Sequence, residues 1–259
     1  MEKDAITVQG TMSGLRVLIT GAGGGIGAAT AGALVARGAR VAVFDQDAEA
    51  AQRTVEALGV ENSIALIGDV TDEQAVGAAI EVMIDAWGGI DALVNNAGTF
   101  EHAPLLELSR RRWQRVLDVN LMAPIFISNA VVEHMNQGGT VVNVSSVLGQ
   151  VAAPERGPYC VSKAALISLT RLQAVEWAAR GIRVNAIAPG YILNASTQSL
   201  ADTGSFDIDA ICRRTPLGRL GTEDDVAAGI CYLVDPVAAK YVTGHVLEVN
   251  GGWTAYGFL

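Results

Sequence analysis

Tyr159 and Lys163 are the two residues of this sequence whose types and spacing best suit proton transfer. They stand four positions apart at the start of an apolar pattern with helical spacing, so a helix would place the lysine ammonium beside the phenol. A neighbouring positive charge favours phenolate and would lower the tyrosine pKa from about 10 toward the range that suits acid–base catalysis. Such a pair alone is more often decoration of a helix surface, so other residues must decide between the two interpretations.

Two further residues suit a proton-transfer site. Ser146 ends the apolar run TVVNVSS thirteen residues before the tyrosine, where a strand would stop, and its hydroxyl is expected to hold a substrate oxygen. Asn120 falls in the middle of a helical pattern over residues 110–135, four residues before Pro124. The proline removes a backbone donor, which predicts a kink and an ordered water near Asn120 that relays protons. A satisfied buried amide is the alternative for this asparagine.

A glycine-rich turn lies between the first predicted strand, LRVLIT, and the first predicted helix. In the stretch GAGGGIG, Gly21 is expected to allow the tight turn and Gly25 to let the backbone approach a pyrophosphate, while Gly27 lets helix and strand pack closely. The N-terminus of the helix then offers unpaired N–H groups to the anion. A glycine turn without a ligand is the alternative.

Asp45 follows the second predicted strand, RVAVF, about twenty residues beyond the glycine turn. A carboxylate at this position can accept hydrogen bonds from an adenosine ribose. A 2′-phosphate would face this charge, and Gly24 and Gln46 occupy the positions where a basic partner is usual, so Coulomb repulsion favours NAD over NADP. Asp45 could also cap the next helix, and the two roles do not exclude each other.

Small or polar residues follow the other predicted strands in the same way. Asp69 and Val70 end the strand SIALIGDV and are expected at the adenine edge, and the turn 95–98 and Pro189–Gly190 close two later strands. An ordinary turn is the alternative for residues 95–98. Short apolar strands that alternate with helices predict an α/β fold, a Rossmann doubly wound parallel sheet of about seven strands with helices on both faces. Such a sheet binds ligands at the carboxyl ends of its strands, where these residues fall.

The predicted elements run without a linker, which indicates a single domain over residues 14–259. Residues 1–13 are expected to form a loose N-terminal arm, and the polar stretch at about 191–215 is expected to form a flap over a cleft.

Half of the residues are hydrophobic, and the net charge of −9 disfavours nucleic acid or an anionic membrane as a partner. We expect neither a signal peptide nor an apolar segment of the ~18 residues that span a bilayer. The three widely spaced cysteines favour reduced thiols in a cytoplasmic setting, and no metal site is expected.

These motifs, in this order, resemble the short-chain dehydrogenase/reductase family over nearly the whole chain. The matching motifs are Thr20–Gly27 (T-G-x-x-x-G-x-G), Asn95–Gly98, Asn120, Ser146, Tyr159 with Lys163, and Pro189–Gly190. The resemblance implies that Tyr159 is the acid/base and that Ser146 orients the substrate oxygen. It also implies that Lys163 lowers the tyrosine pKa and holds the nicotinamide ribose, and that Asn120 holds a water of the proton relay.

The resemblance further implies which residues line the two binding sites. The cofactor-binding residues are Gly21, Gly25, Ile26, Gly27, Asp45, Asp69, Val70, Asn96, Ala97, Gly98, Tyr159, Lys163, Pro189, Gly190, Ile192 and Asn194. The substrate-binding residues are Ser146, Gln150, Tyr159 and Tyr191. Asn194 departs from the family, which usually has a threonine there that contacts the nicotinamide carboxamide, and its amide is expected to make those bonds in a different geometry. Other pocket candidates are His102, Glu155 and Arg156, although a solvent-facing position is favoured for Glu155 and Arg156.

The function that the resemblance implies is an NAD-dependent oxidoreductase that interconverts a secondary alcohol and a ketone by hydride transfer. The polar flap and the preference for NAD favour a sugar, a polyol or another small hydroxylated substrate. A 3-oxoacyl thioester (acyl carrier protein) reductase is the alternative among enzymes, and a non-catalytic NAD-binding sensor or scaffold is the alternative of another class. The family also implies a homotetramer, with the aromatic tail after Gly252 at a subunit interface.

Overall fold

The computed structural model of the protein describes residues 12–194, 197–198 and 207–257. The strands β1 to β7 span Arg16–Thr20, Arg40–Asp45, Ser63–Ile67, Ile90–Asn95, Met135–Val144, Arg183–Pro189 and Val246–Val249. The helices α1 to α8 span Gly25–Val35, Ala48–Leu58, Glu73–Trp87, Arg110–Leu117, Ala123–Val132, Gly157–Trp177, Ile208–Arg214 and Glu223–Val234. A π-helical turn, Asp118–Met122, joins α4 to α5, and a 3-10 turn, Val147–Gly149, follows β5.

The seven strands form one parallel sheet in the order β3-β2-β1-β4-β5-β6-β7. Alternate residues of β1 face opposite cores. Val17 and Ile19 pack in one core with Leu34 of α1, whereas Leu18 packs in the other with Met83 of α3. The predicted Rossmann sheet with helices on both faces is therefore confirmed, and the chain reverses its direction of winding between β1 and β4, where such sheets bind ligands.

The helix around Asn120 departs from the sequence prediction in two ways. The helical segment ends at Val132, and Met135 begins β5 opposite Ile90, so the predicted helical end at residue 135 is wrong. Before Pro124 the chain also widens into a π-helical turn, which the sequence did not predict and in which the N–H of Ala123 donates to the carbonyl of Asp118. The physical cause is the one expected, because proline has no N–H with which to continue the α-helical ladder.

The same helical segment, Arg110–Val132, bears on the expectation that no segment could span a bilayer. By length and composition alone it is able to cross a membrane, which corrects that expectation. Its apolar residues Ala123, Ile127 and Val131 are buried in the core instead, and 44% of its most apolar window lies inside the protein. A core helix passes the same test of length and hydropathy, so this segment is weak support for a membrane span.

The arm and the flap that the sequence predicts are described only in part. Residues 1–11 lie outside the described residues, but Met12, placed in the arm, is only 2% exposed and packs in the core. Of the flap, residues 191–194, 197–198 and 207–215 are described. Ile208–Arg214 is helical, and Asp207 caps this helix because its side chain accepts from the N–H of Ala210. A stretch without clear periodicity therefore contains a short helix, which its cap and the contacts of Arg214 described below hold in place.

A group of hydrogen bonds ties β1 to β4 beyond their last paired residues. Thr20 Oγ1 accepts from the backbone N–H groups of Asn96 and Ala97, each at 3.1 Å, and donates to the carbonyl of Val94 at 3.5 Å. Asn96 Nδ2 donates to the carbonyls of Thr20 at 2.9 Å and Gly21 at 2.8 Å. These bonds place the turn after β4 directly beside the glycine turn.

We predict that Thr20→Val lowers the free energy of unfolding by about 2 kcal/mol, because two backbone N–H groups lose their acceptor. Thr140→Val is the matched control, since Thr140 is also a buried strand threonine but its Oγ1 has no hydrogen-bond partner among the described residues. Its replacement should leave stability unchanged or raise it, because a desolvated hydroxyl becomes a methyl group. Urea unfolding of both variants measures the difference, and equal losses would contradict a special role for Thr20.

Candidate active site

A cavity of about 340 Å³ opens at the carboxyl edge of the sheet. The predicted site residues that line it are Ile26, Asn96, Gly98, Ser146, Tyr159, Lys163, Pro189, Gly190, Tyr191, Ile192 and Asn194. A neighbouring cleft is lined by Gly21, Asp45, Asp69, Val70, Asn96, Ala97 and Gly98. The two share Asn96, Gly98 and Thr99, so they form one continuous depression from the glycine turn to Tyr159.

The three central side chains come from β5 and α6. Ser146 follows β5 and caps the 3-10 turn there, because its Oγ accepts from the N–H of Leu148 at 3.1 Å. Tyr159 and Lys163 lie one turn apart near the start of α6, and Lys163 Nζ is 5.6 Å from the centre of the Tyr159 ring. The buried ammonium of Lys163 donates to the carbonyl of Val144 at 2.7 Å. The i, i+4 spacing thus brings lysine and tyrosine to one face of a helix that borders the cavity, as predicted.

The electrostatics of this pair correct the sequence prediction. Burial raises the pKa of Tyr159 above its ordinary value, and a hydrogen bond with Ser146 opposes that rise. Burial likewise lowers the pKa of Lys163 to about 8. The expected lowering of the tyrosine pKa by the lysine is not found, because removal from water disfavours the charged form of both groups and Lys163 directs its ammonium to the Val144 carbonyl.

Asn120 is a satisfied buried amide, the alternative that the sequence left open for its side chain. Its Oδ1 accepts from the N–H of Thr99, and its Nδ2 donates to the carbonyl of Thr99, both at 2.8 Å. Nδ2 also donates to Ser162 Oγ at 3.0 Å, and this hydroxyl donates to the carbonyl of Tyr159 at 2.8 Å. The side chain therefore fixes the loop after β4 against α6, and the role of Asn120 in holding a water stays a prediction.

The glycine turn has the geometry that a phosphate cradle requires. Gly21 and Gly25 have φ angles of +64° and +57°, and a Cβ added at Gly27 would overlap the carbonyl oxygen of Gly21. A Cβ added at Gly21 would lie 2.8 Å from Ala97 Cα, whereas one added at Gly24 would meet open space. Open space therefore lies beside Gly24 at the N-terminus of α1, and the residues present fit a dinucleotide pyrophosphate.

Asp45 is held at the edge of this cradle. One carboxylate oxygen accepts from the N–H of Gly23 at 2.8 Å and the other from the N–H of Asp47 at 3.0 Å. The cap of α2 is Asp47, whose Oδ1 accepts from the N–H of Ala50, so the alternative role of Asp45 as a helix cap is wrong. Its carboxylate lines the cleft beside Asp69, whose Oδ1 accepts from Thr71.

The backbone N–H and the side-chain oxygen of Asn194 both form hydrogen bonds within the turn that contains this residue. Its Oδ1 accepts from the N–H of Thr197, and its N–H donates to Thr197 Oγ1, both at 2.9 Å. The side-chain oxygen of Asn194 is therefore already bonded to a backbone N–H. A threonine hydroxyl at this position would form such a bond more weakly. Thr197, which the sequence did not single out, lines the cavity beside it.

The aromatic tail packs on the chain's own flap helix. Arg214 of α7 donates to the carbonyls of Trp253 at 3.1 Å and Tyr256 at 2.8 Å, and its guanidinium lies over both rings. Trp253 in turn meets Tyr191, a wall of the cavity, edge to face at 4.8 Å. The sequence offered no signal for this link between the tail, the flap and the cavity, because the three segments are far apart in the chain.

Of the remaining pocket candidates, Arg156 lines the cavity, and Gln150, Glu155 and His102 do not. Gln150 is exposed after the 3-10 turn and does not line the cavity. Glu155 pairs with His102, with 2.7 Å between Oε2 and Nε2, and both side chains are largely exposed. Arg156 lines the cavity beside Phe100, so a solvent-facing position is right for Glu155 and wrong for Arg156. Within the described ranges no group of three or more His, Cys, Asp or Glu residues could hold a metal ion.

The chain is similar to known proteins over most of its length. Residues 21–254 match a family model described as enoyl-(acyl carrier protein) reductase. The chain is 38% identical over 249 residues to gluconate 5-dehydrogenase of Gluconobacter oxydans (strain 621H), which covers 94% of this chain and 96% of that protein. It is 41% identical over 243 residues to cis-4-hydroxycyclohexanecarboxylate dehydrogenase of Sinomonas cyclohexanicum, over 92% of this chain and 96% of that protein.

Among solved structures, the chain is similar to one titled short-chain dehydrogenase/reductase SDR:glucose/ribitol dehydrogenase from Brucella melitensis. The TM-score is 0.89 at 30% sequence identity, and the match covers 95% of this chain and 98% of that one. The likeness therefore extends over nearly the whole fold.

The lowered pKa of Lys163 predicts how stability depends on pH. Between pH 8 and the ordinary value of 10.5, the unfolded chain holds a proton on this lysine that the folded protein has released. The folded state therefore gains stability as pH rises through this window. We expect the unfolding free energy of wild type, minus that of Lys163→Met, to rise by about 1 kcal/mol per pH unit from pH 8 to 9.5.

Urea unfolding at several pH values measures this difference. Lys240→Met is the matched control, because Lys240 is exposed, and its difference from wild type should not change with pH. A flat profile for Lys163→Met would contradict the lowered pKa.

Proposed function

The chain belongs to the short-chain dehydrogenase/reductase family of oxidoreductases, and we propose that it uses NAD to interconvert a secondary alcohol and a ketone on a small hydroxylated substrate. The observation that carries the proposal is the placement of Ser146, Tyr159 and Lys163 around a cavity that continues into the glycine cradle. A substrate carbon bound in that cavity lies between Tyr159 and the cofactor cleft. The reaction requires this placement, because a proton moves to or from the substrate oxygen while a hydride moves between the substrate carbon and the cofactor.

Each residue of this centre has a role that its surroundings support. Tyr159 takes the hydroxyl proton in oxidation and returns it in reduction. Ser146 orients the substrate oxygen and, through its hydrogen bond, lowers the pKa of Tyr159 against the effect of burial. Lys163 holds the nicotinamide ribose, with its ammonium positioned by the Val144 carbonyl. When bound, NAD accepts the hydride from the alcohol carbon.

The choice of NAD over NADP rests on Asp45. Its carboxylate is tethered to Gly23 and Asp47 and lines the cleft, so it is positioned to accept hydrogen bonds from ribose hydroxyls. A 2′-phosphate in the same place would meet this negative charge, with Asp47 beside it and no basic side chain at Gly24 or Gln46. Charge repulsion therefore favours NAD.

The relatives' names support the substrate class. Gluconate and cis-4-hydroxycyclohexanecarboxylate are hydroxylated acids, and the similar structure is titled for glucose and ribitol. These compounds share a secondary alcohol on a small polar molecule. A 3-oxoacyl thioester reductase is the second candidate, and it is favoured by a relative named 3-oxoacyl-[acyl-carrier-protein] reductase, from Vibrio cholerae, to which the chain is 35% identical over 243 residues.

We also propose that the protein assembles as a homotetramer. Large apolar side chains are exposed on α5 and α6, among them Phe126, Val161, Leu172 and Val175, the last at 78%. Val161, Leu172 and Val175 share one face of α6 by their helical spacing, and an exposed apolar face commonly marks a subunit interface. Light scattering should report about four times the 26.9 kDa of the chain, and a monomer would contradict this assembly.

The proposal is tested by NADH absorbance on a panel of gluconate, cis-4-hydroxycyclohexanecarboxylate, sorbitol, ribitol and a 3-hydroxyacyl thioester, with NAD and NADP side by side. We expect turnover with NAD on a sugar, polyol or hydroxy acid. Tyr159→Phe should lower kcat at least ~100-fold while NAD binding is kept, because general acid–base catalysis is lost. Tyr241→Phe, at a 99% exposed tyrosine, is the control and should change nothing.

Three results would contradict the proposal. Turnover of the thioester with NADP would favour the second candidate, and full activity of Tyr159→Phe would exclude the tyrosine as acid/base. Tight NAD binding without turnover of any compound would favour the non-catalytic sensor.

Asp45→Ser should weaken the preference for NAD. We expect the KM for NAD to rise roughly tenfold, since hydrogen bonds to a charged acceptor are lost, and NADP turnover to increase as the repulsion is removed. Asp85→Ser is the control, because it changes the net charge equally at an exposed position on α3. The same shift in both variants would show a long-range charge effect rather than contact at Asp45.

A further inference from the structure

Arg156 places a positive charge inside the cavity. Its guanidinium carbon lies 5.5 Å from the centre of the Phe100 ring, and both residues line the cavity with Tyr159 and Tyr191. Burial raises the pKa of both tyrosines, and the charge of Arg156 opposes that rise at each phenol. The guanidinium is therefore close to the groups that would surround a bound substrate.

Among the described residues, this cation has a ring contact with Phe100 but no ion-pair partner. Its Nη1 is buried and finds no hydrogen-bond acceptor among the described residues. The adjacent carboxylate, Glu155, is paired with His102, and no described carboxylate lies within 4.0 Å of the Arg156 guanidinium. A buried donor of a charged group that stays unpaired is costly, so an acceptor from outside the chain is the physical expectation.

The backbone before Arg156 is held in a rare conformation. Glu155 has a φ of +61°, the only positive φ of a non-glycine residue among those described. Its carbonyl accepts from the N–H of Ala103 at 3.2 Å, and its side chain binds His102, so two contacts with one loop maintain the strain. Strain of this kind is stored where a neighbouring group must be aimed. Here it sets the start of α6, which places Arg156 one turn before Tyr159.

We propose that the cavity selects hydroxylated carboxylic acids, with Arg156 binding the substrate carboxylate while Ser146 and Tyr159 engage the reacting hydroxyl. This inference rests on the proposed function and narrows its substrate class from small hydroxylated compounds to their acids. A guanidinium suits this role because its planar N–H groups match the two oxygens of a carboxylate. In a chain of net charge −9, a cation in the cavity also supplies the local attraction that an anionic substrate needs.

The test compares wild type with Arg156→Met, Arg156→Lys and the control Arg40→Met. Arg40 is exposed at the amino end of β2, away from the carboxyl edge, and its replacement changes the net charge equally. For gluconate and cis-4-hydroxycyclohexanecarboxylate, we expect Arg156→Met to raise KM roughly 10- to 100-fold. Sorbitol, the neutral counterpart of gluconate, should keep its KM, and any change in kcat that follows from the higher pKa of Tyr159 should be the same for sorbitol and for the acids. Arg156→Lys should restore part of the affinity for the acids.

A binding measurement decides the inference independently of turnover. Cyclohexanecarboxylate has no hydroxyl to oxidise, so calorimetry on the NAD-saturated protein reports carboxylate binding alone. Wild type should bind it more tightly than neutral cyclohexanemethanol, and Arg156→Met should lose that preference. The melting temperature of Arg156→Met should not fall, because no partner is left unpaired, whereas a structural role would lower it.

Several results would overturn the inference. An equal change in KM for sorbitol and gluconate in Arg156→Met, or an unchanged preference for cyclohexanecarboxylate, would exclude carboxylate recognition. Higher kcat/KM for sorbitol 6-phosphate than for the acids would assign the charge to a phosphate ester instead. Turnover of polyols with no effect of Arg156→Met would leave the proposed function standing and refute only the narrower substrate class.

Discussion

The carboxyl edge of the sheet depends on how β1 and β4 are joined beyond their last paired residues. Thr20 Oγ1 accepts from the N–H groups of Asn96 and Ala97, and Asn96 Nδ2 donates to the carbonyls of Thr20 and Gly21. These bonds bring Gly21 so close to Ala97 that a side chain cannot fit between them. The glycine turn and the turn after β4 therefore act as one rigid surface, and such preorganisation lowers the entropic cost of binding a ligand across both.

Burial is the second constraint, and it acts on the ionisable groups at the start of α6. Removal from water opposes the charged forms of Tyr159 and Lys163, whose pKa values move in opposite directions for the same reason. Ser146 and Arg156 favour the phenolate against this cost. The pKa of the tyrosine is thus set by burial, by Ser146 after β5 and by Arg156 before α6, and not by the charge of Lys163.

Local sequence patterns predict much of the fold, and the predicted elements that are wrong have physical causes. Apolar runs that end in glycine or aspartate predicted the parallel sheet, because strand period and turn chemistry are local properties. Met135 was assigned to a helix because its neighbours continue the helical apolar pattern, but pairing with Ile90 across the sheet makes it a strand residue. The helix in the flap was missed because contacts of Arg214 with the distant tail hold it.

The sequence by itself determined the α/β class, the family and which residues follow each strand, since these depend on spacing along the chain. Only the tertiary structure decided that Arg156 faces the cavity while Glu155 faces His102, and that the oxygen of Asn194 is committed to Thr197. It also decided that the Lys163 ammonium binds the Val144 carbonyl. Orientation, burial and pairing of this kind depend on groups brought together by folding, and no local pattern in the chain encodes them.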